Sequence, residues 1–198
     1  KSRSTSSSET ELEAKVSRTL ATLSLKEKVG QMTQLNLDMI SVGEVYNLKE
    51  PNELDSVKLR KALVEYGVGS ILNVGGHAYS KEYWNQIVSE IQRIALTETK
   101  AKIPVLYGID AIHGANYLLN GTLFPQPLAQ AATFNTELVE QGASITAYET
   151  RACGIPWNFS PVLDVARQPL WSRVFETYGE DVYMCKTMGL AAIKGYQG

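Results

Sequence analysis

From Thr10 onward the chain falls into stretches whose apolar spacing changes period. Leu12, Val16, Leu20 and Leu23 recur at intervals of three and four, the spacing of one helix face. Ser24-Leu25-Lys26-Glu27 then forms a capping-box pattern, and Leu25, Val29 and Met32 give the helix it opens an apolar stripe. Residues 41–55 carry no period and read as a loop. Val57 to Tyr66 reads as a helix, with Gly67 placed as its C-terminal cap. Gly69 to Gly76 reads as a short buried strand ending in a glycine turn. Ser80 starts a long amphipathic helix to about Leu96, with Trp84, Ile87, Val88, Ile91 and Ile94 available for one face. The near-continuous apolar run from Ile103 to Gly108 reads as a strand buried on both faces. A long loop with Asn120-Gly121, Pro125 and Pro127 follows. A helix then runs from Asn135 or Thr136 to about Cys153 and stops at Gly154. Ile155 to Pro161 forms another short strand. A second long loop, Val162 to Gly179, leads into a last helix from about Glu180 to Tyr196, and Glu180-Asp181 suits its N-terminus, where negative charge meets the helix dipole.

Strands alternating with helices long enough for crossovers predict an α/β protein with a parallel sheet or barrel. At 198 residues the chain is one domain or part of a larger one. Residues 1–9 are polar and of low complexity and read as a disordered leader. A hydrophobic content of 44% is enough for a core, and a net charge of −2 gives no support for a nucleic-acid partner. No run of 18 apolar residues marks a membrane span, and no signal-peptide pattern is present. The chain does not begin with methionine, so a processed or trimmed product is expected and the compartment stays open. Cys153 and Cys185 fall in helical segments without a ligand set around them, so buried free thiols are expected rather than a zinc site, with a disulfide as the alternative that depends on their Cα separation. Neither a Gly-x-Gly-x-x-Gly after a strand nor a Walker-type Gly-Lys-Ser/Thr occurs, which lowers the nucleotide-binding versions of the fold. The strands 69–74, 103–109 and 155–161 contain no lysine, which counts against Schiff-base chemistry.

The chemistry then concentrates in two places. Asp110 lies just beyond the Ile103–Gly108 strand, at the C-terminal edge where open sheets and barrels carry their sites. A turn-capping role is the alternative, a common use of aspartate. The loop from Ser160 to Asp181 combines arginines, carboxylates and aromatics. A sugar site needs such a mixture, since charged groups bind vicinal hydroxyls and aromatic faces cover the apolar side of the ring. A salt-bridge network pinning the loop is the competing reading, and it is the preferred one for Arg167, Glu176, Glu180 and Asp181.

Six segments in order resemble the family 3 glycoside hydrolases, the family of β-glucosidases and exo-β-glucanases. They are Leu25–Met32, Gly69–Leu72, Tyr107–Gly114, Thr122–Pro125, Ser160–Arg167 and Glu176–Asp181. The resemblance implies a TIM-like (β/α) barrel, of which residues 10–198 form the N-terminal portion. It implies a retaining, exo-acting β-glycosidase acting on terminal β-D-glucosyl residues of oligosaccharides. Asp110 matches the aspartate that holds hydroxyls of the terminal sugar, in the −1 subsite, and Arg173 matches the arginine of the Trp-x-Arg segment that also binds it. His113, Trp171, Glu176 and Asp164 are candidates for holding those two in place. The expected partner is a β-linked oligosaccharide or glucoside, with the rest of the barrel and a following domain; no cofactor or metal is expected. A secreted or periplasmic location is favoured by the resemblance alone.

The chain also departs from the family. Arg167-Gln168-Pro169-Leu170-Trp171-Ser172-Arg173 stands where Arg-Asp-Pro-Arg-Trp-Gly-Arg is more common, which puts neighbouring subsite contacts and loop salt bridges in question. The Lys-His pair and the Ser-Asp-Trp-like segment with the family's nucleophile do not occur. The expectation is therefore an incomplete barrel, with nucleophile and acid/base supplied from beyond Gly198 and no turnover by the chain alone. Two alternatives remain: a β-N-acetylhexosaminidase of the same superfamily, disfavoured by the Gly108–Gly114 segment, and a non-catalytic sugar-binding fragment.

Overall fold

The computed structural model describes residues 7–49, 51–74 and 76–198, with side chains from Thr10. Residues 1–6 of the leader lie outside these, and the first helix begins at Ser7, inside the stretch read as disordered. The elements are α1 (Ser7–Thr22), α2 (Leu25–Gln31), β1 (Gln34–Asn36), β2 (Gly43–Glu44), β3 (Asn47–Leu48), α3 (Ser56–Arg60), β4 (Ser70–Leu72), α4 (Lys81–Thr97), β5 (Leu106–Ile109), α5 (Pro127–Ala131), α6 (Thr136–Ala152), β6 (Trp157–Asn158) and α7 (Val182–Gln197). Short 3₁₀ turns occupy Leu37–Ile40 and Val174–Glu176, and a π turn at Lys61–Glu65 extends α3. None of the described helices is long and apolar enough to cross a membrane. The chain divides into two compact units, Lys1–Ile71 with Glu90–Val105 and Leu72–Ser89 with Leu106–Gly198.

In the first unit the capping box forms as its sequence dictates: Glu27 N donates to Ser24 Oγ at 3.2 Å and Ser24 N donates to Glu27 Oε2 at 2.8 Å. β1 neighbours β4, and Gln34 Nε2 donates to Ser70 Oγ at 2.8 Å across them. Leu37, Ile40, Leu59, Leu63, Ile71, Ile91 and Ile94 are buried. Gln92 holds the chain entering β5, donating to Val105 O at 2.7 Å and accepting from Val105 N at 3.0 Å. The two apolar stripes at the N-terminus stay in solvent: Leu12, Val16 and Leu20 on α1 are exposed, and so are Leu25, Val29 and Met32, the last 88% exposed. Their periodicity specifies helices, but nothing among the described residues covers them. The stretch read as a structureless loop contains the antiparallel hairpin β2–β3, with Gly43 opposite Leu48.

In the second unit β5 and β6 pair in parallel, Gly108 beside Trp157 and Ile109 beside Asn158. Trp84 on α4 is fully buried, and its Nε1 donates to Tyr117 O at 2.8 Å, fastening the helix under the loop that follows β5. α6 starts at the Asn135 cap and ends before Gly154, as its sequence signals indicate. α6 and α7 pack through Val139, Ala143, Cys185, Met188, Ala191 and Ala192. They approach so closely that a Cβ on Gly195 would lie within 2.1 Å of Glu140 O. Both cysteines are buried and free. The architecture is α/β with a parallel sheet; among the described residues the strands do not close into a barrel.

Candidate functional site

The C-terminal end of β5 is built by its neighbours in the second unit. Gly108 leaves no side chain where Phe159 arrives: a Cβ there would lie 2.2 Å from the ring. Asn73, directly after β4, has φ of 45°, a left-handed conformation that asparagine tolerates better than most residues. Its backbone N donates to Gly108 O at 3.0 Å, and its carbonyl accepts from Tyr107 OH at 2.7 Å. The Asn73 side chain then grips Asp110 twice, accepting from Asp110 N at 2.9 Å and donating to Asp110 Oδ2 at 2.6 Å. From the other side Asn158, on β6, grips the next residue: its Oδ1 accepts from Ala111 N at 3.1 Å and its Nδ2 donates to Ala111 O at 3.1 Å. The polar groups at the strand end are thus satisfied by two asparagines. Among the described residues no group donates to Asp110 Oδ1.

Asp110 lines a cleft of about 230 Å³ together with Ile112, His113, Asn116, Tyr117, Gln126, Arg173, Phe175 and Glu176. Arg173 approaches from the second long loop. Its Nε donates to both Glu176 oxygens at 3.0 Å, and Nη2 adds a contact to Oε2. This pairing, followed by the charges of Asp110 and Asp164, holds the Arg173 guanidinium above its ordinary range, so it remains a cation. Nη1 has no acceptor among the described residues. His113 Nδ1 lies 3.0 Å from Phe124 O, and Phe124 N donates to His113 O at 2.8 Å, which ties the far end of the first long loop to its beginning. A carbonyl only accepts, so Nδ1 carries the proton. Burial, and then the Asp110 charge, pushes the Tyr117 hydroxyl above its usual pKa, so it stays a donor.

Asp110, Arg173, His113 and Glu176, picked out in the sequence, therefore come together. Trp171 and Asp164 do not line the cleft. Trp171 is half-buried and Asp164 exposed, with the Asp164 carbonyl 3.8 Å from the Cys185 thiol that points at it. Asp181 is the N-cap of α7, accepting from Met184 N at 2.9 Å. Asn73, Asn158, Tyr117 and Gln126 escaped the sequence reading. The available signal for Asn73 was a polar residue at the C-terminal end of a predicted strand; Asn158 fell in the middle of the stretch predicted as a strand and ends it only in the structure. A larger cavity, about 520 Å³ in the first unit, is lined by Val29, Leu35, Met39, Ile40 and Val68 among others and holds no carboxylate. No group of three or more His, Cys, Asp or Glu side chains among the described residues could hold a metal ion.

Comparison with known proteins bears on what this cleft belongs to. Residues 24–198 match the glycosyl hydrolase family 3 N-terminal domain. A lysosomal beta glucosidase of Dictyostelium discoideum is 40% identical over 191 residues, covering 92% of this chain and 22% of that protein. An exo-1,3/1,4-beta-glucanase from a Pseudoalteromonas species superposes with a TM-score of 0.78 at 28% identity, covering 95% of this chain and 22% of that one. A beta-glucosidase from Listeria innocua, solved in complex with isofagomine, gives a TM-score of 0.71 at 33% identity over 93% of this chain and 23% of that one. The chain thus spans about a fifth of the length of the relatives it matches. The cleft at the end of β5 lies within the matched region, and the chain belongs to glycosyl hydrolase family 3, as part of that family's N-terminal domain.

Proposed function

We propose that this chain supplies part of the −1 subsite of a retaining, exo-acting β-glycosidase that removes terminal β-D-glucosyl residues from oligosaccharides. The observation that carries the reading is the convergence of Asp110 and Arg173 in one cleft at the end of β5, each with a hydrogen-bonding group left over. Asp110 Oδ1 accepts from a sugar hydroxyl and Arg173 Nη1 donates to another. Both contacts are charge-assisted, and charge-assisted bonds are about twice as strong as neutral ones. Hydroxyl contacts that tighten in the transition state raise the rate as well as the affinity. Glu176 holds Arg173, and His113 holds the loop that frames the cleft. Trp171 and Asp164 belong to the second long loop, which carries Arg173, and lie outside the cleft. A β-linked glucoside fits this donor and acceptor set without cofactor or metal, and a secreted or periplasmic setting suits such a substrate.

Retaining hydrolysis needs a nucleophilic carboxylate and an acid/base carboxyl roughly 5 Å apart. Asp110 is engaged by Asn73 and Glu176 by Arg173, so neither is offered as the nucleophile. In this reading the nucleophile and the acid/base come from polypeptide outside residues 1–198, and those residues alone do not turn over substrate. Removing such a group abolishes most of the rate advantage, because the set acts as a unit.

The test uses the full-length polypeptide. Asp110→Asn should keep the fold and lower kcat/KM on an aryl β-glucoside by roughly 10- to 100-fold, as a charge-assisted bond becomes a neutral, imperfect one. Wild-type kinetics would return Asp110 to a turn-capping role. Residues 1–198 assayed separately should show no turnover, and robust turnover by a monomer would refute the division of labour. Faster hydrolysis of an aryl N-acetyl-β-glucosaminide than of the glucoside would favour the β-N-acetylhexosaminidase reading instead.

A further inference from the structure

We propose that Asn73 is a positioning residue for Asp110: it fixes the rotation of the carboxylate, and so selects Oδ1 as the atom offered to the substrate. The inference rests on the sugar-binding role of Asp110 proposed above and adds the group that controls it. Asn73 and Asp110 are joined by two bonds of opposite sense, with Asn73 Oδ1 accepting from Asp110 N and Asn73 Nδ2 donating to Asp110 Oδ2. The amide therefore reads the backbone and the side chain of Asp110 at once, and the χ angles of Asp110 have little freedom left. The asparagine is itself immobile, because its own N and O are bound to Gly108 O and Tyr107 OH. Tyr107 is fully buried, so this chain of contacts runs from the core to the carboxylate. Asn158 provides the contrast. It binds the backbone of Ala111 and holds the strand end without touching the Asp110 carboxylate.

Two substitutions in the full-length polypeptide separate positioning from mere structure. Asn73→Gly accommodates the left-handed φ and removes the amide. Asn73→Asp keeps shape, conformation and the acceptor toward Asp110 N, but turns the donor toward Asp110 Oδ2 into a second carboxylate. Folding is verified by circular dichroism, and kcat and KM on an aryl β-glucoside are measured from about pH 7.5 down to about pH 5, the range over which coupled carboxylates take up a shared proton. N73G should lower kcat/KM by roughly 10-fold or more, mainly in kcat, because a misrotated carboxylate loses its transition-state contact. N73D should be impaired near neutral pH and recover relative to wild type as pH falls, since a proton shared by the two carboxylates restores the bond to Oδ2. His113, Tyr117, Arg173 and Glu176, the other titratable or charged groups facing Asp110 in the cleft, are common to both proteins and cancel in that ratio. A purely structural role predicts a lower melting temperature with no pH-dependent recovery. Folded N73G and N73D with wild-type kcat/KM, beside a crippled D110N, overturn the inference while the sugar-site reading stands. Wild-type kinetics for D110N as well would remove both.

Discussion

Alanine at position 108 perturbs a place where Phe159, directly after β6, leaves no room beside β5. The added Cβ would lie 2.2 Å from Phe159 Cζ, 2.6 Å from Cε1 and 3.0 Å from Trp157 Cε3. Carbon atoms in contact sit roughly 3.5 Å apart, so the ring must retreat by about 1.3 Å. It has little freedom to do so. Phe159 packs edge-on against Trp157, with ring centroids 4.7 Å apart, and its backbone N donates to Ile109 O at 3.0 Å. Overpacking of this kind costs about 1–3 kcal/mol, offset by up to about 1 kcal/mol from the stiffer unfolded chain. From the middle of the overpacking range, about 2 kcal/mol, this offset leaves a net loss of about 1–2 kcal/mol, which corresponds to a fall of roughly 2–8 °C in Tm for a domain of this size. Thermal unfolding of the full-length polypeptide, followed by tryptophan fluorescence, reads the effect. The same substitution in a Phe159→Ala background isolates its cause: without the ring, Gly108→Ala should cost about 1 kcal/mol less. A variant as stable as the parent, or an equal penalty with and without the ring, would refute the argument.

Other outcomes follow from the same structure. Ser24→Ala removes the hydroxyl that caps Glu27 N on α2, while the backbone N of residue 24 still donates to Glu27, and should cost about 1 kcal/mol in a urea titration; an unchanged midpoint would count against it. Trp84→Phe loses the bond to Tyr117 O and leaves a void, costing about 1–3 kcal/mol, although Tyr79 N still donates to that carbonyl at 3.0 Å. A folded variant at parental stability would show that the indole does not fasten the loop. Burial pushes the Cys153 thiol up to about 11 from 9.0. Iodoacetamide near pH 8 should therefore leave it unmodified until the protein unfolds. Stability should also decline as pH rises from about 9 to about 11, because the unfolded thiol releases its proton first. Rapid alkylation of the native protein would contradict the burial.

Local signals carried much of the chain into the sequence reading. Asn135 and Gly154 bracket α6 because an asparagine cap and a left-handed glycine act within a few residues. The apolar face of α4 was legible for the same reason, and Trp84, Ile87, Ile91 and Ile94 are all buried. β1 was not, since three residues cannot display a period. The exposed stripes of α1 and α2 show that periodicity announces a helix without naming what covers it. At the cleft, Asp110 was legible from its place after an apolar run. Asn73 was not, because its partner lies 37 positions away and nothing local links them. The same distance problem hid Asn158, 47 positions from Ala111.

The two asparagine clasps also bear on how freely the first long loop can vary. The Asp110 carboxylate and the Ala111 backbone are anchored to Asn73 and to Asn158, residues at strand ends, and from the loop that follows only Asn116, with its amide turned to donate, reaches back among the described residues, to Asp110 O at 3.1 Å. The position of the carboxylate is thereby set apart from the stretch 118–121, where the chain turns through Asn120 and Gly121 before returning to Phe124. Replacing or lengthening that turn should alter the outer wall of the cleft while leaving Asp110 in register. The turn at 118–121 is thus the segment to diversify when a differently shaped cleft wall is wanted, and the clasps and Asn116 are the residues to leave alone.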